Sequence, residues 1–206
     1  AEYHRLLLMD FEYYSKYFPL TYPQKGIWYL EKMYPGTSIG NIAGTVRFKG
    51  EIDYQLLEKA INIVIEKNDG LRLRIIEEDG EPKQYISEYN YQKFDFLDLS
   101  GSKDLTELYQ WDQAQTQKPF KLIDSNLYYF TLLKINDQDG GFYIKTHHLI
   151  SDAWTMSLIV NQINEYYSKL INQDLIPNEK KPSYIDFVLN EEEYYYSEQF
   201  KKNHKF

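Results

Sequence analysis

No cysteine occurs among the 206 residues, which excludes disulfides, thiolate catalysis and zinc–thiolate sites. A reducing compartment, the cytoplasm, is therefore the expected setting. Glycine and proline are sparse, at 10 and 7 residues, so collagen-like and low-complexity classes drop out. Apolar runs stop far short of the ~20 residues that a membrane-spanning helix needs, so no membrane partner is expected. Basic residues are the minority, 23 against 31 acidic for a net charge of −8. No dense Lys/Arg cluster offers a face to nucleic acid. The opening AEYHRLLLMD lacks a charged segment ahead of an apolar core and a small-residue cleavage site, so no signal peptide is expected there.

What is present is an ordinary globular composition, 43% hydrophobic and 17% aromatic, in a chain long enough to bury a core. The clearest element is a helix over 54–67, where Leu56, Leu57, Ala60, Ile61, Val64 and Ile65 form one apolar stripe. Asp53 is its expected N-cap and Asn68-Asp69-Gly70 its stop. Thr45–Lys49 before it and Leu71–Ile75 after it alternate as half-buried strands. Together they read as a strand–helix–strand unit of a layered α/β fold. Further along, the spacing predicts a short helix over 103–117. Strands over 127–135 and 142–147 are expected to pair as a hairpin across Asn136–Gly141. Helices are expected over 153–171 and 184–203, the second with a capping box at Ser183 and Asp186. Glu191-Glu192-Glu193 reads as a solvated face.

The segment that carries chemistry runs from Phe142 to Thr155. It holds His147 and His148 side by side where a strand meets a helix, a common place for reactive groups in α/β proteins. Adjacent strand residues point to opposite faces, so a continued pleat puts His148 on the face of Phe142 and Ile144, with His147 opposite. The two rings then do not converge on one metal ion. Spacing alone leaves two readings open, a hydrogen-bonded core histidine beside a surface one, or a general base with an imidazole pKa near 6.5. Asp152, four residues on, is suited to brace the loop through a buried ion pair.

His147-His148-Leu149-Ile150-Ser151-Asp152-Ala153 resembles the His-His-x-x-x-Asp-Gly motif of condensation domains from nonribosomal peptide synthetases. The shorter His-x-x-x-Asp pattern is shared with chloramphenicol acetyltransferase and its relatives. Three more stretches follow the family order. Leu20–Leu30, with Gln24 and Trp28, is similar to the first condensation motif. Glu66–Arg72 lies where the family carries Arg-His-Glu-x-Leu-Arg. Tyr184-Ile185-Asp186-Phe187-Val188 resembles the fourth motif, Tyr-x-Asp-Tyr-Ala-x-Trp. Two departures stand out: Ala153 replaces the motif glycine, and Lys67-Asn68-Asp69 replaces Arg-His-Glu. Arg72 is expected to be exposed or structural, and Gln24 and Trp28 to serve packing and helix placement.

The resemblance implies an α/β, chloramphenicol acetyltransferase-like lobe, a mixed β-sheet packed with helices. It also implies that residues 1–206 are a single N-terminal lobe, with the C-terminal lobe of the domain outside them. The implied activity is amide formation between acyl or peptidyl and aminoacyl thioesters, in bacterial secondary metabolism of the antibiotic-making kind. Both substrates ride on the phosphopantetheine of partner carrier proteins, so the domain itself needs no metal and no diffusible cofactor. Neighbouring synthetase domains and the second lobe are the other implied partners. His148 is implied as the catalytic residue, with His147 and Asp152 structural and an Arg in the second lobe as the partner of Asp152. An epimerisation domain shares the motif, and a non-catalytic recruitment module on the same fold is the alternative from another class. Cyclisation domains carry Asp where His148 stands and are excluded.

Overall fold

The computed structural model describes residues 16–178 and 181–197. Strands β1 (Phe18–Pro19), β3 (Leu73–Glu78) and β4 (Glu81–Ile86) make a small antiparallel sheet in the order β1-β4-β3. Strands β2 (Asn41–Lys49), β5 (Asp95–Asp98), β6 (Tyr128–Asn136) and β7 (Asp139–His147) make the main sheet, ordered β2-β7-β6-β5. Its first three strands are antiparallel, and β5 runs parallel to β6. The main sheet is thus mixed, as expected. The helices are α1 (Tyr22–Met33), α2 (Tyr54–Lys67), α3 (Thr106–Gln117), α4 (Ala153–Ile171) and α5 (Tyr184–Tyr196).

The alternation along β7 sorts the layers. Phe142 and Ile144 face one way and join Leu57, Ile61, Val64 and Ile65 of α2 with Ile159 and Ile163 of α4 in the largest core. Tyr143 faces the other way, against Leu108 and Trp111 on the α3 side. Because helices cover both faces, all nine residues of β7 are buried. A third cluster joins Leu20, Trp28, Ile75, Leu127 and Leu149, tying α1 and the small sheet to the segment just after β7. Among the described residues no helix is long and apolar enough to cross a membrane.

Most local expectations hold. Helix α2 spans 54–67 with Asp53 at its N-cap, accepting from the N–H groups of Gln55 and Leu56 at 3.0 Å each. Helix α4 spans 153–171, and β6–β7 form the hairpin. Four expectations fail. The strand–helix–strand unit is not β2-α2-β3, because β2 pairs with β7 and β3 turns away into the other sheet. The parallel crossover is β5-α3-β6. The strand expected from Leu71 starts at Leu73, because Asp69–Arg72 coil into a 3₁₀ turn. Arg72 then sits on that turn, and its guanidinium donates to the carbonyls of Ile65, Glu66 and Ser87, which is a structural use.

The last two corrections concern α5. Ser183 is its N-cap, accepting from the Ile185 N–H at 3.2 Å, but the carboxylate that completes the cap belongs to Asp69. Asp69 takes hydrogen bonds from the Ser183 hydroxyl at 2.6 Å and the Tyr184 N–H at 3.0 Å. Glu191 is not on a purely solvated face: its carboxylate accepts the Tyr22 N–H at the start of α1 at 3.2 Å, where the helix dipole favours an anion. The helix expected to 203 is described to Tyr196, and 198–206 lie outside the described residues.

Candidate active site

Strand β7 ends at His147, and the chain turns at once, with the Ile150 N–H donating to the His147 carbonyl at 3.0 Å. The pleat therefore does not continue, and His148 does not join Phe142 and Ile144 on the buried face. It is exposed at the tip of the turn, while His147 and Leu149 on either side are both 1% exposed. Two buried anchors thus hold one exposed imidazole between them. The His148 N–H is itself taken up by the Gly40 carbonyl at 2.8 Å.

The His147 ring is held on both nitrogens. Its Nδ1 accepts the Leu149 N–H at 3.1 Å, and its Nε2 lies 3.0 Å from Glu31 Oε1. An acceptor at Nδ1 requires the neutral ring with the proton on Nε2, where it donates to Glu31. Burial works in the same direction, pushing the His147 pKa below its usual value against the pull of Glu31. Phe120 packs edge-on against the ring at 6.0 Å, and the Lys145 ammonium lies 4.7 Å from the Phe120 centroid on its way to the carbonyls of Gln115 and Lys118. Burial lowers the Lys145 pKa as well.

From the other side, α1 grips the turn. Thr21 and Gln24 form a capping box, with Gln24 Oε1 accepting the Thr21 N–H at 2.9 Å. The Gln24 amide then donates at 2.8 Å to the Leu149 carbonyl and pairs with the Gln84 amide of β4. Trp28 is buried one turn on. Gln24 and Trp28 thus place and pack the helix, as expected, and Gln24 also holds the histidine turn. Ser151 completes the frame, its hydroxyl donating to the His147 carbonyl at 3.3 Å.

Asp152 has a local role, while the arginine implied as its partner is placed in the second lobe. It is exposed, and among the described residues its carboxylate forms no salt bridge. It caps α4, accepting the Thr155 N–H at 2.7 Å, and its hydrogen bonds hold its pKa below the usual carboxylate value. Ala153 is the first residue of α4 and is not among the residues with positive φ. The glycine replaced there is not needed for backbone freedom at this position.

Two residues of the site were not singled out in the sequence. Glu31 is a carboxylate on the buried stripe Gln24–Trp28–Glu31, spaced i, i+4, i+7, and that placement of a charge among buried positions is the signal. Gly40 lies against the His147–Glu31 pair, and a Cβ there would overlap His147 Nε2 and Glu31 Oε1. The four motifs therefore meet in space, the first gripping the histidine turn through Gln24, the second capping the fourth through Asp69. A cleft of ≈ 260 Å³ opens between α4 and the start of α5, lined by Leu71, Ile150, Leu158 and Gln162. His148 does not line it.

A family model of the condensation domain matches residues 14–206. The chain belongs to the condensation-domain family. Surfactin synthase subunit 1 of Bacillus subtilis is 40% identical over 92% of the chain, which corresponds to 5% of that synthase. A plipastatin synthase of the same organism is 36% identical over 92% of the chain and 7% of that synthase. The starter condensation domain of rhizomide synthetase, in complex with C8-CoA and Leu-SNAC, superposes with a TM-score of 0.85 at 27% identity. That match covers 94% of this chain and 45% of the solved one, so the chain spans under half the length of that condensation domain. The mixed sheet flanked by helices is the chloramphenicol acetyltransferase-like architecture of the family.

Proposed function

We propose that residues 1–206 are the N-terminal lobe of an amide-forming condensation domain, with His148 as its catalytic residue. The observation that carries the reading is the turn itself: one exposed imidazole, backed by a buried neutral one and held through Gly40, Gln24 and Leu149. A base presented on a fixed mount is what proton transfer from an attacking amine requires. The aminoacyl amine, tethered as a thioester on one carrier, attacks the carbonyl carbon of the acyl thioester on the other. His148 accepts or orients the proton that the nitrogen sheds. The tetrahedral intermediate collapses to the amide and expels the carrier thiolate, which takes up a proton. His147 and Asp152 serve the scaffold, His147 under the turn and Asp152 at the start of α4.

The test is His148→Ala in the complete condensation domain with both carriers loaded. Amide formation is expected to fall by about 10²–10⁴-fold with unchanged thermal stability. A wild-type rate would overturn the assignment. A second reading concerns the donor. The likeness to a starter condensation domain solved with C8-CoA and Leu-SNAC favours an acyl-CoA as donor in place of a carrier-bound chain. Offering the domain an acyl-CoA and an acyl-loaded carrier in competition, with product detection by mass, separates the two.

A further inference from the structure

We propose that Glu31 is a positioning residue for His148, acting through the tautomer of His147. The inference rests on the reading of His148 as the catalytic residue. His147 is buried, and its Nδ1 is the acceptor for the Leu149 N–H, the amide that follows His148. In the other tautomer, or in the imidazolium, Nδ1 carries a proton and two donors face each other. The turn then has to open, and His148 moves with it. The carboxylate of Glu31 selects against this by giving the Nε2 proton its acceptor at 3.0 Å. Gly40 keeps the approach clear, since any side chain there displaces the pair, and its carbonyl receives the His148 N–H. One short stretch of backbone therefore touches both histidines, which couples the orientation of the inner ring to the placement of the outer one. Among the described residues, the titratable groups that face His147 are Glu31 from α1, His148 next to it, and Lys145 behind the Phe120 ring.

The experiment combines rates and spectroscopy on the complete condensation domain with ring-¹⁵N-labelled histidine. In the wild type, His147 is expected as the neutral ring protonated on Nε2 at pH 7. Glu31→Ala is expected to lower kcat by about 10–100-fold, the scale of a misplaced catalytic group, with KM for the loaded carriers near wild type. Its His147 signals should lose the single tautomer. Glu31→Gln keeps an oxygen acceptor for the Nε2 proton and is expected to recover most of the rate and the tautomer. A folded Glu31→Ala with wild-type kcat would overturn the proposal. So would a wild-type His147 protonated on Nδ1 at pH 7, a measurement that needs no variant to fold. A wild-type rate in His148→Ala beside an Nε2-protonated His147 would identify failure of the underlying catalytic reading.

Discussion

The His147 imidazole loses its hydration on folding, gains one carboxylate contact, and ends with its pKa below the ordinary 6.5. The unfolded chain binds a proton near pH 6.5 while the folded chain does not, so acid favours unfolding. This contribution to stability is complete above about pH 7 and declines as pH falls through 6.5, by at most about 1.4 kcal/mol per pH unit. The depressed carboxylates act lower: Asp139, held down by Arg47 and Lys49, loses its contribution only as pH drops below its unfolded value near 3.8. Urea midpoints between pH 7.5 and 5 are therefore expected to fall in the wild type and to flatten in His147→Gln. An undiminished slope in the variant would assign the titration to another group. Asp152 gives a second residue-scale test. Asp152→Ala removes a helix cap and is expected to cost about 0.5–2 kcal/mol. Asp152→Asn, which keeps a capping oxygen, is expected to retain most of that in the same denaturation assay.

Among the elements, α5 depends on a residue it does not contain. Asp69, on the 3₁₀ turn after α2, supplies the carboxylate that binds the Ser183 hydroxyl and the Tyr184 N–H. Glu191 returns the contact at the start of α1. Asp69→Ala should loosen α5 selectively, seen as faster amide hydrogen exchange across 184–191 with little change in α4. Equal protection of α5 in that variant would mean that packing, through Val188 for example, holds the helix without the cap. The same contacts explain why Lys67-Asn68-Asp69 serves where the family has Arg-His-Glu. Asn68 caps α2 and bonds Gln162 of α4, and Asp69 keeps an acid in the third place.

For the whole molecule, several large apolar side chains of α1 and α4 are exposed. Helix α1 buries Gln24, Trp28 and Glu31 but exposes Tyr22, Tyr29 and Met33 on the opposite side, and Trp154 is 73% exposed at the start of α4. On the proposed function two tethered substrates are aligned over His148, and proximity of this kind is worth roughly 7–11 kcal/mol. Residues 1–206 assayed alone with both loaded carriers are expected to form amide at least about 100-fold more slowly than the complete domain. Sedimentation at increasing concentration is expected to show weak self-association through the exposed aromatic residues. Comparable turnover by the 206 residues would overturn the half-domain reading.

The sequence by itself determined what neighbours along the chain decide. Helices α2 and α4 follow from apolar spacing and from Asp53 and the start at Ala153, and the β6–β7 hairpin follows from two alternating runs around a polar turn. The histidine motif was legible for the same reason, since its residues are consecutive. Only the tertiary structure decided that β3 leaves β2 for a second sheet, that β5 lies parallel to β6, and that β4 exists with Pro82 in it. Strand pairing is settled between residues far apart, where local propensity carries little information. Glu31 and Gly40 belong to the same class. Neither is near His147 in the chain, and a buried carboxylate acquires meaning only when folding brings an imidazole N–H to within 3.0 Å of it.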